Sequence, residues 1–341
     1  MNKSEHICNI LIAELQAGKY PDRTRFPSEY LLADRFQINK TTANKIVSNL
    51  VEKGFLTRGG RGVGTIVTLN NSFPEGIFLF LCRELTPYVS RILMGAQQAA
   101  LQQRCLITPW PHFQDNFKEN LKLISPKKFK GILNIQNVLP QEPDGIPVVH
   151  IDWDHPDQKN QICSVTNNNY ESGRMMMREI LNHNHRNILI FNTSRFSYFS
   201  PESVHSRIRG FMDEMKLAEI PDISARTALC VPHTLCDVSL KLKSLLRRFP
   251  ETTLIATDSD ETAELLWTAA RHDNLSVGDS IVLTGFGNCA HLPIASVEQY
   301  PEQIGIQAAD LLQSLANGKE EISRQKEVPA KLVHLEYLSY V

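Results

Sequence analysis

The sequence has no long hydrophobic run. Its purest apolar stretch, Ile77–Cys82, is six residues long, far below the ~18 needed to span a bilayer. The opening Met1-Asn2-Lys3-Ser4-Glu5-His6 leads into no apolar segment of the secretory kind, so no signal peptide is expected. Seven cysteines make an odd set with no Cys-x-x-Cys pair, which argues against a disulfide framework and for reduced thiols in a cytoplasm. There is no Gly-x-Ser-x-Gly elbow, no phosphate-binding Gly-x-x-x-x-Gly-Lys loop and no His-Glu-x-x-His. His183 and His185 form a possible metal pair, but no third ligand stands at useful spacing. No catalytic residue, metal or cofactor is expected.

What remains is ordinary globular material: 42% hydrophobic and 21% charged over 341 residues, with a net charge of −1. That length predicts two or three domains. The charge is unevenly spread. Residues 1–70 carry ten Lys and Arg against six Asp and Glu, and the rest carries 26 against 31. A basic head on an acidic body hints at a polyanionic partner for the head.

Periodicity divides the chain at the same place. Ile7, Ile10, Leu11 and Leu15 recur at helical spacing up to Gly18. A short helix follows Ser28 as N-cap, and a third follows Asn39, with an apolar stripe Ala43, Ile46, Val47, Leu50 and Val51. Gly54 ends it. Phe55–Arg58 and Thr65–Thr68 then flank a glycine-rich tip, the pattern of a hairpin. We expect a separate head domain over 1–69 and a linker over 70–76. From 77 to 341, short apolar runs alternate with amphipathic stretches, which predicts α/β architecture with parallel sheets.

The outward face of the third helix carries Lys40, Thr41, Thr42, Asn44 and Lys45, donors and acceptors suited to phosphates and base edges. Arg58 and Arg61-Gly62 belong to the hairpin. The alternative is a solvated polar helix face beside an ordinary hairpin. Residue order favours the first. Phe26-Pro27-Ser28-Glu29, Leu32-Ala33-Asp34-Arg35-Phe36, Asn39-Lys40-Thr41-Thr42-Ala43, Leu50–Leu56 and Gly62–Val67 together resemble the GntR-family winged helix-turn-helix. The resemblance implies that Ser28, Lys40, Thr41, Thr42, Asn44, Lys45, Arg58, Arg61 and Gly62 lie along double-stranded operator DNA. Two positions depart from the family: Tyr30 and Asn44 stand where it usually has arginine.

The larger part carries a second set: Val148–Asp152, Asn168–Gly173, Asn184–Ile188, Arg207–Phe211, Ser259–Ala263, Gly285–Asn288, Val297–Gln299 and Gly305–Ala309. In this order they resemble the effector core of LacI-family repressors, a fold similar to periplasmic sugar-binding proteins. A GntR-type head on a LacI-type core is similar to the arabinose-repressor branch of regulators. The resemblance implies two lobes, an N-lobe of about 77–163 and 291–322 and a C-lobe of about 164–290 and 323–341. It further implies a homodimer, an inter-lobe cleft for a carbohydrate or similar small polar effector, and an effector set of Arg207, Asp260, His233, Asn288, Gln299 and Trp110. Trp153 is a further candidate wall. Gly287 replaces the aspartate that usually pairs with the arginine, so either Asp258 or Asp260 takes part, or the ligand is different, or the pocket is degenerate. An aspartate placed there is expected to complete the clamp if the backbone tolerates it. The rival expectation is a ligand-independent DNA-binding protein whose core only dimerises.

Overall fold

The computed structural model describes residues 3–60, 63–68, 74–111, 113–135, 138–139, 141–152, 162–193, 202–232, 234–318 and 323–339. Arg61, Gly62, Trp153 and His233, and most of the expected linker, lie outside them. The chain forms two compact units, divided between Pro74 and Glu75.

In the first unit, α1 (Lys3–Gln16), α2 (Glu29–Phe36) and α3 (Lys40–Glu52) precede β1 (Leu56–Arg58) and β2 (Thr65–Val67). Ser28 Oγ accepts from Leu31 N–H at the start of α2. Asn39 Oδ1 accepts from Thr42 N–H at 2.7 Å at the start of α3. Each cap satisfies an amide that the first helical turn leaves open. Gln37, at φ 49°, turns the chain between the two helices. The α3 stripe (Ala43, Ile46, Val47, Leu50) is buried against Ile7, Leu11, Leu15, Leu32 and Val67. β2 pairs antiparallel with β1 and is bridged on its other side by Arg25.

Glu14 fastens α1 to α2. It accepts from both terminal nitrogens of Arg35, and also from Lys19 at 2.6 Å. The Arg35 hydrogen bond is the main reason its carboxyl is held down at about 2.

The second unit contains two α/β lobes. The first lobe uses β3 (Gly76–Leu81), α4 (Pro87–Gln102), β4 (Cys105–Trp110), α5 (Phe117–Leu123), β5 (Gly131–Ile135), β6 (Val148–Ile151) and β7 (Ser164–Thr166). The chain then builds the second lobe from α6 (Asn169–Asn182), β8 (Ile188–Thr193), α7 (Glu202–Leu217), α8 (Ile223–Arg226), β9 (Thr227–Cys230), α9 (Leu235–Arg248), β10 (Leu254–Thr257), α10 (Asp260–His272) and β11 (Val282–Thr284). Then follow β12 (Ser296–Glu298), α11 (Pro301–Ala316), β13 (Gln325–Glu327) and β14 (Lys331–Val333). The first sheet runs β13-β7-β6-β5-β3-β4 and the second β11-β10-β8-β9, with parallel pairing throughout both. β12 and β14 pair antiparallel by themselves.

This topology corrects the expected lobe boundaries. β7 and β13, assigned from sequence to the C-lobe, are strands of the N-lobe sheet. Residues 294–297 pack with the C-lobe cores, where Ile294, Ala295 and Val297 are buried, and not with the N-lobe. Three-residue strands carry too little periodicity to reveal which sheet they join.

Each lobe is bound by one pair of helices in backbone contact. A Cβ on Gly95 of α4 would lie 2.0 Å from the Glu302 carbonyl oxygen of α11, and one on Gly305 would lie 2.0 Å from that of Ile92. Gly173 of α6 and Gly210 of α7 meet their partners' backbones in the same way, at 2.3 Å. Only glycine allows so close an approach.

Candidate functional site

On the first unit, Lys40, Thr41, Asn44, Lys45 and Arg58 are exposed, and Thr42 is half-buried. The hairpin and α3 are joined: Arg58 donates to Asn44 Oδ1 at 2.7 Å and to Ser48 Oγ at 2.9 Å. A guanidinium thus lies on Asn44, where the family usually has arginine. Lys40 donates to Tyr30 Oη at 2.6 Å, its ammonium 3.9 Å from the ring centroid. The two departures seen in sequence are therefore each paired with a cation from elsewhere in the same unit.

In the second unit, the chain passes between the lobes three times, and Asn167 joins all three passages. It follows β7, and its Nδ2 donates to the carbonyls of Gln299 at 3.1 Å and Val328 at 2.6 Å. Gln299 Nε2 donates back to Asn167 Oδ1 at 3.0 Å. Asn169, the first residue of α6, accepts from Arg207 Nη2 at 2.8 Å and more distantly from Gln299 at 3.5 Å. Arg207 is therefore wired to the hinge through one side chain.

Arg207 itself is 7% exposed. Its Nη1 donates to the Asp258 carbonyl, and its guanidinium stacks 3.8 Å from the Phe286 ring centroid. Burial lowers its pKa, opposed by the charges of Tyr88, Asp258 and Asp152. Tyr88, on the first turn of α4, donates to Asp152 at 3.3 Å, just beyond β6. Burial, then the Asp152 charge, raises the Tyr88 pKa far above its ordinary value. Burial also pushes the Asp258 carboxyl up to about 6. Asp152, Asn167, Asp258 and Phe286 all follow the carboxyl ends of parallel strands, where open α/β sheets place their ligands.

The other expected effector residues sit differently. Gln299 is in the hinge, 2% exposed. Asp260 accepts from the backbone of Cys289 and Ala290 and from Ser296 Oγ, fixing the loop after β11. Asn288 donates to Glu298 at 2.7 Å and contacts His334 at 3.2 Å. Asp260 and Asn288 border a cavity of about 120 Å³ with Ser296, His334 and Tyr337, room for a few waters. Trp110 packs with Phe117 and Phe129 on the Leu79–Leu81 side of the first sheet.

Gly287 lies at φ 123°, where L side chains are strained, and its carbonyl accepts from Arg91 of α4 at 3.3 Å. This corrects the expectation that an aspartate there would restore a clamp: the neighbourhood is open but the backbone disfavours it. Asp258 is one of the two aspartates considered as the partner of Arg207; Tyr88, Asp152, Asn167 and Phe286 are not singled out as effector residues in sequence. Their clustering depends on which strand ends meet across the hinge.

Residues 177–334 match the family model of the periplasmic binding protein-like domain. The core has the periplasmic-binding-protein-like fold. Over 334 residues, the chain is 22% identical to the arabinose metabolism transcriptional repressor of Geobacillus stearothermophilus, covering 89% of this chain and 88% of that protein. Among solved structures it is similar to a transcriptional regulator CelR–cellobiose complex, with a TM-score of 0.66 and 16% identity over 90% of this chain and 98% of that one. It is also similar to a periplasmic binding protein/LacI transcriptional regulator from Alkaliphilus metalliredigens QYMF complexed with D-xylulofuranose. That match has a TM-score of 0.64 and 17% identity, over 76% of this chain and 97% of the other. In the periplasmic-binding-protein-like core, no helix among the described residues is long and apolar enough to cross a membrane, and the same holds for the head.

Proposed function

We propose that this chain is a ligand-responsive transcriptional regulator, a repressor that binds operator DNA and is switched by a sugar or similar small polar effector held between the lobes of the core. The relatives are regulators of this kind by name, and two of the similar structures hold a sugar. The observation that carries the proposal is the chain of hydrogen bonds Arg207–Asn169–Gln299–Asn167. It ties the cation of the cleft to all three crossover passages. An effector that engages Arg207 acts directly on the hinge, and differential affinity for two lobe arrangements is what a switch requires.

We read the head as a GntR-type winged helix-turn-helix. The support is a strand pair directly after α3, with Arg58 of its first strand bonded to α3. α3 fits a major groove, with Thr42 and Asn44 toward base edges and Lys40 and Lys45 toward phosphates. We read the protein as a cytoplasmic homodimer. Met94 and Leu101 on α4 and Leu106 on the edge strand β4 are 62%, 53% and 36% exposed, a set of large apolar side chains suited to a second copy.

The test is DNA release. The purified chain should be dimeric by light scattering. It should bind a selected duplex, and at least one of L-arabinose, cellobiose and D-xylulose should change that affinity. A dimer that binds DNA but ignores every neutral sugar, sugar acid and sugar phosphate would favour the scaffold reading, in which the core only dimerises.

A further inference from the structure

Among the described residues, two polar atoms in the C-lobe half of the cleft are buried without a hydrogen-bond partner: Arg207 Nε and Asn192 Oδ1. Their residues are 7% and 8% exposed. Buried polar groups are nearly always satisfied, so each orphan asks what it is waiting for. Asn192 is the penultimate residue of β8. Ile188 and Ile190, four and two positions earlier, pack in the cluster formed by Met177 and Phe211 of α6 and α7. Strand alternation therefore puts Asn192 on the same sheet face as Arg207 of α7. A third orphan, Thr284 Oγ1 at the end of β11, lies on that face as well, since Val282 packs in the same cluster. Three unpartnered polar atoms thus lie on one face at the carboxyl end of one sheet.

We propose that Asn192 is a specificity-determining residue which, with the Nε–H of Arg207, selects an uncharged, hydroxyl-bearing effector over a sugar phosphate or sugar acid. This rests on the reading of the cleft as an effector site. The chemistry of the orphans is complementary. Arg207 Nε–H needs an acceptor, and Asn192 Oδ1 needs a donor. A ligand with hydroxyl groups supplies both. Where the carboxylate or phosphate dianion of a charged sugar is set against these two atoms, it supplies acceptors only and leaves Asn192 Oδ1 unmet. It would also face Asp152 and Asp258, whose charges already act on the guanidinium. A site built to hydrogen-bond a hydroxyl discriminates strongly against ligands that leave its buried groups unpaired.

The test uses the full chain, Asn192→Leu and Asn192→Ala, each followed by thermal melting and by titration calorimetry. The ligands are L-arabinose, D-xylulose and cellobiose, with D-xylulose 5-phosphate and D-arabinonate as charged counterparts. The parent should bind a neutral sugar more tightly than either charged compound. Asn192→Leu should bind that sugar about tenfold more weakly or worse, because a ligand hydroxyl loses its acceptor. It should melt no lower than the parent without ligand, since it removes an unsatisfied buried acceptor. Weaker binding without lower stability is a signature that a structural asparagine would not give. Asn192→Ala adds no bulk and carries the affinity test if leucine is not accommodated. Tighter binding of a charged compound, or undiminished sugar binding by both variants, overturns the assignment and leaves the effector reading standing. If no compound binds the parent, both the assignment and the effector reading fail.

Discussion

Replacing Lys40 by alanine should flatten the salt dependence of DNA binding. The described face of α3 and β1 offers three exposed cations, Lys40, Lys45 and Arg58. Each phosphate-neutralising cation contributes about 0.9 to the slope of log affinity against log salt. In a dimer with two heads on one site, losing Lys40 twice removes about 1.8 from that slope. Between 50 and 200 mM salt, the parent should therefore lose roughly 12-fold more affinity than the variant. Fluorescence anisotropy on a labelled duplex across that range reads both slopes. The Lys40 ammonium is already held by Tyr30, at 2.6 Å from its hydroxyl, so it is presented at a fixed place. Tyr30→Phe should leave the slope intact. An unchanged slope in Lys40→Ala would show that this lysine is not at the phosphate backbone, and the proposed orientation of α3 would fall with it.

Four further outcomes follow from the geometry. Arg207→Ala should keep operator affinity while raising the sugar concentration needed for a response by about ten- to a hundredfold, the loss of one or two charge-assisted bonds; an unaltered dose-response curve would place Arg207 outside the effector site. Glu14 has its carboxyl held down at about 2 by Arg35, so its contribution is complete above the ordinary carboxylate range and is lost as pH falls toward 2. Arg35 is 37% exposed at its side chain, so Glu14→Gln should destabilise the head by only about 1 kcal/mol at neutral pH, seen as a lower urea midpoint. Burial lowers the His185 pKa, and its ring is bonded to Thr253 and to the Leu338 carbonyl at 3.0 and 2.8 Å; the neutral ring is the stabilising form, so core stability should be full above about 6.5 and decline below it, and a His185→Gln chain should lose that part of the decline. Gly95→Ala drives a Cβ against the α11 backbone and should cost about 1–3 kcal/mol, whereas Gly60→Ala, with nothing among the described residues within 4 Å, should melt like the parent.

Much of this architecture is legible in the sequence because it rests on local signals. Ser28 and Asn39 cap the helices that follow them, and the α3 stripe is buried as its spacing predicts. Longer strands such as β5 and β8 announce themselves as apolar runs between turn formers. The lobe boundaries were not legible, because β7 and β13 are three residues each and pair with each other across about 160 positions of chain. The cleft was only partly legible. Arg207 could be placed by resemblance, but Tyr88 and Asp152 gain meaning only when α4 and β6 meet. Asn192 reads in sequence as a polar strand end. Asp260 and Asn288 show the converse: they are in the right region, but their side chains are committed to the loop after β11 and to Glu298.

If one chain couples a DNA-binding head to a sugar-sensing core, as proposed, its occupancy of DNA must change with the sugar. The most direct measurement incubates the full chain with fragmented genomic DNA from its source and sequences the bound fraction, with and without the neutral sugar that most raises its melting temperature. A near-palindromic site should be enriched, with that enrichment changed by the sugar. Enrichment should be lost in a Lys40→Ala/Arg58→Ala chain that still melts with the sugar-induced shift. Uniform recovery of fragments, with no enriched sequence under either condition, would contradict that coupling.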